Sequence, residues 1–179
     1  MIGYIFISII LLALLLVVDK ILLKKQPKAS HRWRKESASK TLQKVRAFAN
    51  DGQVISYLRN IDHFVFEELL LLAVEQNLNC KSIHNDKYTG DGGVDGRFIH
   101  FTNDGKKRLY LIQAKKYKAH INHQDILKLS EQVREEKAYK GLFIHTGKSG
   151  KQSWKNSFNV SNVEIVSGEK LVEFVRFGF

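Results

Sequence analysis

Two short stretches decide how this chain folds: residues 90–96, which read GDGGVDG, and residues 108–117, which read RLYLIQAKKY. The apolar residues before Gln113 predict a strand that leaves a hydrophobic core at that point. Because side chains alternate along a strand, Gln113 and Lys115 leave the same face. The glycines before Asp95 permit a tight turn and a close backbone approach. The pattern predicts that an acid, an amide and an ammonium group converge.

Such a group of side chains suits the hydrolysis of phosphodiester bonds. A carboxylate binds a hard divalent ion through oxygen, and a lysine polarises the attacking water or stabilises charge that develops on the phosphate. Asp91 is a second acid that could bind a cation, but it suits a turn, whereas Asp95 stands beyond the glycines at the start of a strand. The alternative is a glycine hairpin and a strand whose Gln113 and Lys115 merely face solvent.

These residues resemble the catalytic domain of Mrr-type restriction endonucleases, which belong to the PD-(D/E)XK nuclease superfamily. The resemblance extends from about Asp62 to the C-terminus, and Gln113 stands where many relatives have a second acid. The resemblance implies a restriction-endonuclease-like α/β fold, with a mixed sheet flanked by helices. The segments that carry it are FE at 66–67, DGGVD at 91–95, QAKKY at 113–117 and HTG at 145–147.

The resemblance also implies an activity and a set of roles. The protein would be an endonuclease that hydrolyses DNA phosphodiester bonds with Mg2+, with Mn2+ as an alternative. Asp95 would bind the ion. The carbonyl of Ala114 and the side chain of Gln113 would complete its ligands or position a water. Lys115 would orient and activate the nucleophile.

Asp62 is suited to cap a helix that extends to about Asn77, with apolar residues spaced to cover a core. The resemblance picks out Glu67 on this helix as an extra acid near the metal. The neighbouring Glu68 is equally available, and a solvated helix position is the alternative for Glu67. The remaining predicted elements are strands at 78–88, 94–101 and 107–117, a helix at 126–138, a strand at 141–145, a helix at 152–158, a strand at 163–166 and a helix at 171–177.

Residues 1–23 are almost entirely apolar, and their charged residues are the adjacent Asp19 and Lys20. About twenty such residues span the core of a bilayer. A signal peptide normally has a basic N-terminal region and a small-residue cleavage site, and a core helix has a polar face; neither pattern is visible. We therefore expect one transmembrane helix that anchors the protein in the cell membrane.

Basic residues concentrate directly after this apolar run. Residues 24–60 contain ten Lys and Arg against two acids, a net charge of +8, whereas residues 61–179 contain eighteen against fifteen, a net charge of +3. The positive-inside rule places the N-terminus outside and the domain at 61–179 in the cytoplasm. We interpret 24–60 as a basic juxtamembrane linker with one short amphipathic helix at 39–50. Membrane topology and anionic lipid then explain most of the basic charge.

DNA binding must therefore be sought in a local cluster of cations around the proposed site. The alternative is a solvated strand edge whose lysines discourage aggregation. The residues predicted to contact DNA are Lys106, Lys107, Arg108, Lys116 and Lys118.

Together these features predict a membrane-anchored DNA endonuclease. The alternative is a catalytically silent nuclease fold that acts as a membrane-tethered DNA-binding or assembly factor. Residues 24–60 are too few for a typical recognition domain. Recognition would then be structural, or would come from a homodimer or a partner protein.

Overall fold

The computed structural model describes residues 29–83, 93–118, 121–147 and 160–179. Five helices and five strands are found in these ranges, and residues Arg34–Phe179 form one compact unit. In chain order the elements are α1 (Ala29–Ala47), α2 (Asp51–Asn60), α3 (His63–Glu75), β1 (Cys80–Ile83), β2 (Gly96–Phe101), β3 (Lys107–Lys115), α4 (His123–Glu135), β4 (Lys140–His145), β5 (Val163–Val166) and α5 (Glu169–Phe177).

The five strands form one sheet in the order β1-β2-β3-β4-β5. The first three strands are antiparallel neighbours, and β3, β4 and β5 are parallel. Parallel neighbours end at the same edge, so Lys115 at the end of β3 lies beside His145 at the end of β4. The start of β2 meets this edge too, because Gly96 pairs with Ile112.

Helices cover both faces of the sheet, and each face has its own hydrophobic core. Ile112 of β3 packs into a core shared with α1, α2, α3 and α5. Leu111, the preceding residue, packs on the other face against α4. Burial on both faces fits the apolar run in β3, and each fully buried side chain of this kind stabilises the fold by about 1.5–3 kcal/mol.

The structure confirms the predicted α/β fold, a mixed sheet flanked by helices. Strand β5 has the predicted bounds, and Asp62 caps α3 by accepting hydrogen bonds from the N–H groups of Phe64 (2.9 Å) and Val65 (3.2 Å). The predicted helix at 152–158 lies outside the described residues, as does the second half of the predicted strand at 78–88.

The largest difference from the sequence prediction concerns residues 24–60. In place of a linker with a helix at 39–50, α1 extends over Ala29–Ala47, and Asn50 then caps the separate helix α2. Both helices contribute to the core of the first sheet face. Their buried apolar residues, 0–3% exposed, are Ala38, Leu42, Val45, Val54 and Leu58.

None of the helices in the described ranges is both long enough and apolar enough to cross a membrane. The apolar run predicted as an anchor, residues 1–23, lies outside those ranges.

Gly141 fixes how closely α4 packs on the sheet. A Cβ atom at this position would lie 2.9 Å from side-chain carbons of both Leu129 and Val133. Gly141→Val should therefore destabilise the protein by about 1–3 kcal/mol through overpacking. Chemical denaturation measures the change, with Gly105→Asn as control, because a Cβ at that turn would meet nothing and Asn tolerates its positive φ. A Gly141→Val protein as stable as the wild type would contradict this close packing.

Candidate active site

The proposed site lies where β2 begins and β3 ends. The main-chain N–H of Asp95 donates a hydrogen bond to the carbonyl of Ile112 (2.8 Å). The Asp95 carboxylate accepts a second one from the main-chain N–H of Ala114 (2.7 Å). These two bonds hold the carboxylate beside β3.

Gln113 occupies the middle of this arrangement. Its side chain is 3% exposed, and among the described residues its Oε1 atom has no hydrogen-bond partner. A buried polar atom left in this state costs about 1–3 kcal/mol, so such atoms often mark a ligand site. Gly93, at a φ of +95°, gives the amide its space, since a Cβ there would lie 3.0 Å from Gln113 Nε2.

Glu67 reaches the site from α3. Burial and then the negative charge of Asp95 raise its pKa from an ordinary 4.5 to about 8, and the positive charges of Lys115 and Arg34 oppose that rise. Its Oε1 atom lies 2.6 Å from Nε2 of His63, one turn earlier on the helix. Of the two adjacent glutamates, Glu67 is therefore the one that interacts with the charges of the site.

Burial also raises the pKa of Asp95, against the opposing effects of the Ala114 N–H, Lys115 and His63. Two carboxyl groups with raised pKa values thus lie within range of each other's charge. A cation bound between them would favour the ionised form of both groups.

The oxygen atoms at this site that could bind a metal suit a hard divalent ion. They are the Asp95 carboxylate, the Gln113 Oε1 atom and the carbonyl of Ala114, which points to the same side of β3 as the Ala114 N–H that reaches Asp95. Oxygen ligands of this kind suit Mg2+ or Mn2+. In the described part of the chain, no group of three or more His, Cys, Asp or Glu side chains could hold a metal. Neutral oxygens would therefore make up much of the ligand set.

The family of Mrr catalytic domains, which is described as restriction endonuclease, has a sequence model that matches residues 58–175, more than half of the chain. This chain belongs to that restriction endonuclease family. Among solved structures, the MspJI restriction endonuclease in complex with a 27-mer oligonucleotide is similar, with a TM-score of 0.48 and 22% sequence identity. The similar region covers 79% of this chain and 31% of that one, so this chain spans about a third of the MspJI chain. No curated protein matches the chain significantly.

The predicted DNA-binding residues do not all lie at one place in this restriction endonuclease domain. Lys107 begins β3 and Lys115 ends it, which separates them by about 26 Å at roughly 3.3 Å per residue. Lys106 pairs with Asp104 (2.6 Å) at that distant end. The prediction that Lys106, Lys107 and Arg108 lie close to the site is therefore wrong.

Two further predicted residues lie at the correct end of β3 but differ in their surroundings. The ammonium group of Lys116 donates a hydrogen bond to the main-chain carbonyl of Ile61, so this lysine connects β3 to the start of α3. Lys118 is exposed beyond the strand. Asp91, the alternative acid, lies outside the described residues.

Two residues near the site, His63 and Arg59, were not predicted from the sequence, and His145 was named only as part of the resemblance, with no role. His63 could have been found, because it lies four residues before Glu67 on one helix face. Arg59 could not have been found from the sequence, because its guanidinium donates hydrogen bonds (2.8 and 2.5 Å) to the carbonyl of Thr146, which is distant along the chain. His145 is fully buried; its Nδ1 atom accepts a hydrogen bond from the Gly147 N–H (3.1 Å), and burial lowers its pKa to about 4, so it is neutral at physiological pH.

The raised pKa of Glu67 predicts how the stability of the metal-free protein depends on pH. Between pH 4.5 and 8 the folded state keeps a proton that the unfolded state has lost, so the free energy of unfolding should fall as pH rises. Glu67→Gln should remove a decline on the order of 2–4 kcal/mol across that window. Urea denaturation in EDTA at several pH values measures the slope. Glu131→Gln, an exposed glutamate on α4, is the control, and equal slopes for wild type and Glu67→Gln would contradict the burial of Glu67 as an acid.

Proposed function

We propose that this protein is a metal-dependent DNA endonuclease that hydrolyses phosphodiester bonds. The observation that carries the proposal is the buried Oε1 atom of Gln113, which lacks a partner among the described residues and belongs to the residue before Ala114, whose N–H binds the Asp95 carboxylate. Membership of the restriction endonuclease family supports DNA as the substrate.

Asp95, Gln113 and the carbonyl of Ala114 would hold the ion. A divalent ion bound there would withdraw negative charge from the phosphate and make a coordinated water more acidic. The protein's own contribution is rigidity, because two hydrogen bonds fix Asp95 and burial fixes Gln113. Donors held in advance need little reorganisation during the reaction, which is why such arrangements accelerate it.

Lys115 would supply fixed positive charge. It lies two residues beyond Gln113 on β3, and its charge acts on both Asp95 and Glu67. A phosphate entering the site would gain the same stabilisation as it acquires charge. Glu67 would act through proton transfer, since the bound ion would favour its ionised form and a carboxylate at the site can accept a proton from an attacking water.

One observation favours a catalytically silent relative as the second candidate. Gln113 would be a neutral ligand, and the described residues contain no group of three or more His, Cys, Asp or Glu that could hold a metal. Such a protein would bind DNA without cutting it. Cleavage and binding measured separately distinguish the two candidates.

Lys115→Ala should slow cleavage by about a hundredfold to a thousandfold, as expected for the loss of one group that stabilises charge in the transition state. Asp95→Asn should abolish the Mg2+-dependent cleavage, because the ion loses its anionic ligand on this edge. Single-turnover cleavage of plasmid by the full chain in detergent, with saturating Mg2+ and an EDTA control, measures both effects.

Lys81→Ala, which removes an exposed lysine from β1, is the control for loss of one positive charge. Equal rates for Lys115→Ala and the wild type would remove the lysine from the mechanism. DNA binding by the wild type without cleavage in Mg2+ or Mn2+ would favour the silent candidate.

We further propose that residues 1–23 anchor the nuclease in the cell membrane, with the N-terminus outside and the domain in the cytoplasm. The support is the apolar composition of this run and the excess of Lys and Arg that follows it.

The full chain should therefore remain in the membrane pellet after alkaline carbonate washing, whereas deletion of residues 1–23 should release the protein. A reporter fused after Phe179 should be active only if it is one that works in the cytoplasm. Release of the full chain by carbonate would contradict the anchor, and activity of an extracytoplasmic reporter would contradict the orientation.

A further inference from the structure

Arg34 reaches the active site from a helix that the family match does not include. The match begins at residue 58, whereas Arg34 lies on α1, which ends at Ala47. The buried stripe of α1 contains Ala38, Leu42 and Val45. Arg34 precedes Ala38 by four residues and therefore continues this stripe by one helical turn.

The side chain of Arg34 is held against α3. Its guanidinium carbon lies 3.9 Å from the centre of the Phe64 ring, a cation–π contact. Phe64 precedes Glu67 by three residues, so the two share one side of α3. The positive charge of Arg34 also acts on Glu67, which independently places it within range of the site.

The charges of the site indicate what this arginine does. Asp95 and Glu67 are two acids, whereas Lys115 supplies one positive charge on β3. With both acids ionised, these three side chains alone would repel a DNA phosphate. Arg34, held against α3, offsets the second negative charge. Stacking on Phe64 uses the face of the guanidinium, and phosphate is bound by its edge.

We propose that Arg34 binds a backbone phosphate of the DNA held at the Asp95 site. This role rests on the proposed endonuclease function and extends it, because it assigns α1 to substrate binding. Arg34 contacts the substrate in this arrangement, and Phe64 orients the guanidinium. The part of α1 from Arg34 onward would then form one wall of the site as well as part of the core.

The chain offers a closely matched control on the same helix. Lys44 is also a cation stacked on an aromatic ring, with its Nζ atom 4.6 Å from the centre of Tyr57. It lies ten residues beyond Arg34, or about 15 Å along the helix axis. Lys44→Ala therefore removes the same charge and the same kind of contact at a distance from the site.

The test is DNA affinity measured as a function of salt. The full chain in detergent and EDTA binds a short fluorescent DNA duplex, and anisotropy gives Kd over a range of salt concentrations without cleavage. Arg34→Ala should weaken binding about tenfold and reduce the slope of log Kd against log salt by about 1, the change expected for one lost phosphate contact. Arg34→Lys should restore most of the slope, and Lys44→Ala should leave the slope unchanged. Thermal unfolding of each variant verifies that it is folded.

The outcomes separate this role from the proposed function. Equal slopes for Arg34→Ala and the wild type, with cleavage in Mg2+ intact, would overturn the role of Arg34 alone. An equal loss of slope in Arg34→Ala and Lys44→Ala would overturn it too, because the effect would then be general electrostatics. A reduced slope in Arg34→Ala without wild-type cleavage would support Arg34 and overturn the nuclease. Absence of DNA binding by the wild type in EDTA would overturn the role of Arg34, and absence of cleavage in Mg2+ as well would overturn both.

Discussion

The arrangement of the site depends on the hydrogen bond between the Asp95 carboxylate and the N–H of Ala114. Strand β2 runs antiparallel to β3 and begins at Gly96, so the main chain before it no longer provides the regular ladder of acceptors. The carboxylate of Asp95 supplies an acceptor to β3 in its place. A charged acceptor makes this bond worth about 1.5–3 kcal/mol. It also fixes an acid beside Gln113 and Lys115, whose directions β3 already determines.

The buried acids of the site, when ionised, lower the stability of the fold. Burial raises the pKa of Asp95 and Glu67, and each added negative charge makes the other harder to maintain. Groups perturbed in this way concentrate at functional sites, where the protein tolerates the cost because the chemistry requires it. The surrounding contacts are correspondingly firm. Arg59 of α2 donates hydrogen bonds to the carbonyl of Thr146 after β4, and Lys116 after β3 donates one to that of Ile61, so both strand ends are held to the helices.

The central elements of the fold could be predicted from sequence because their signals are local. The apolar run before Gln113 indicated β3, and Asp62 had the right chemistry for a helix cap. The N-terminal helices could not be delimited in this way. Proline, serine and many cations near residues 24–38 are typical of a linker, and the spacing of Ala38, Leu42 and Val45 becomes decisive only when a sheet is present to bury them. Tertiary packing thus outweighed composition.

The same distinction applies to the site. Asp95, Gln113 and Lys115 follow from one strand pair, and the structure places them together. Glu67 could be chosen over Glu68 only once the packing of α3 was known. In the same way, Arg34 could be found only from the packing of α1. The large distance between Lys107 and Lys115 could have been predicted from the length of the strand alone, but the sequence prediction did not use that length.

The neutral amide of Gln113 has a consequence for how the fold depends on divalent ions. A glutamate of nearly the same shape would place a third negative charge in a buried position next to Asp95 and Glu67, and mutual repulsion would oppose ionisation of all three. Such a site would have to bind a divalent ion or take up protons to relieve the repulsion, so the stability of the fold would depend more strongly on divalent ions. With an amide at 113, one charge fewer has to be neutralised in the buried site, so the stability of the fold depends less on divalent ions.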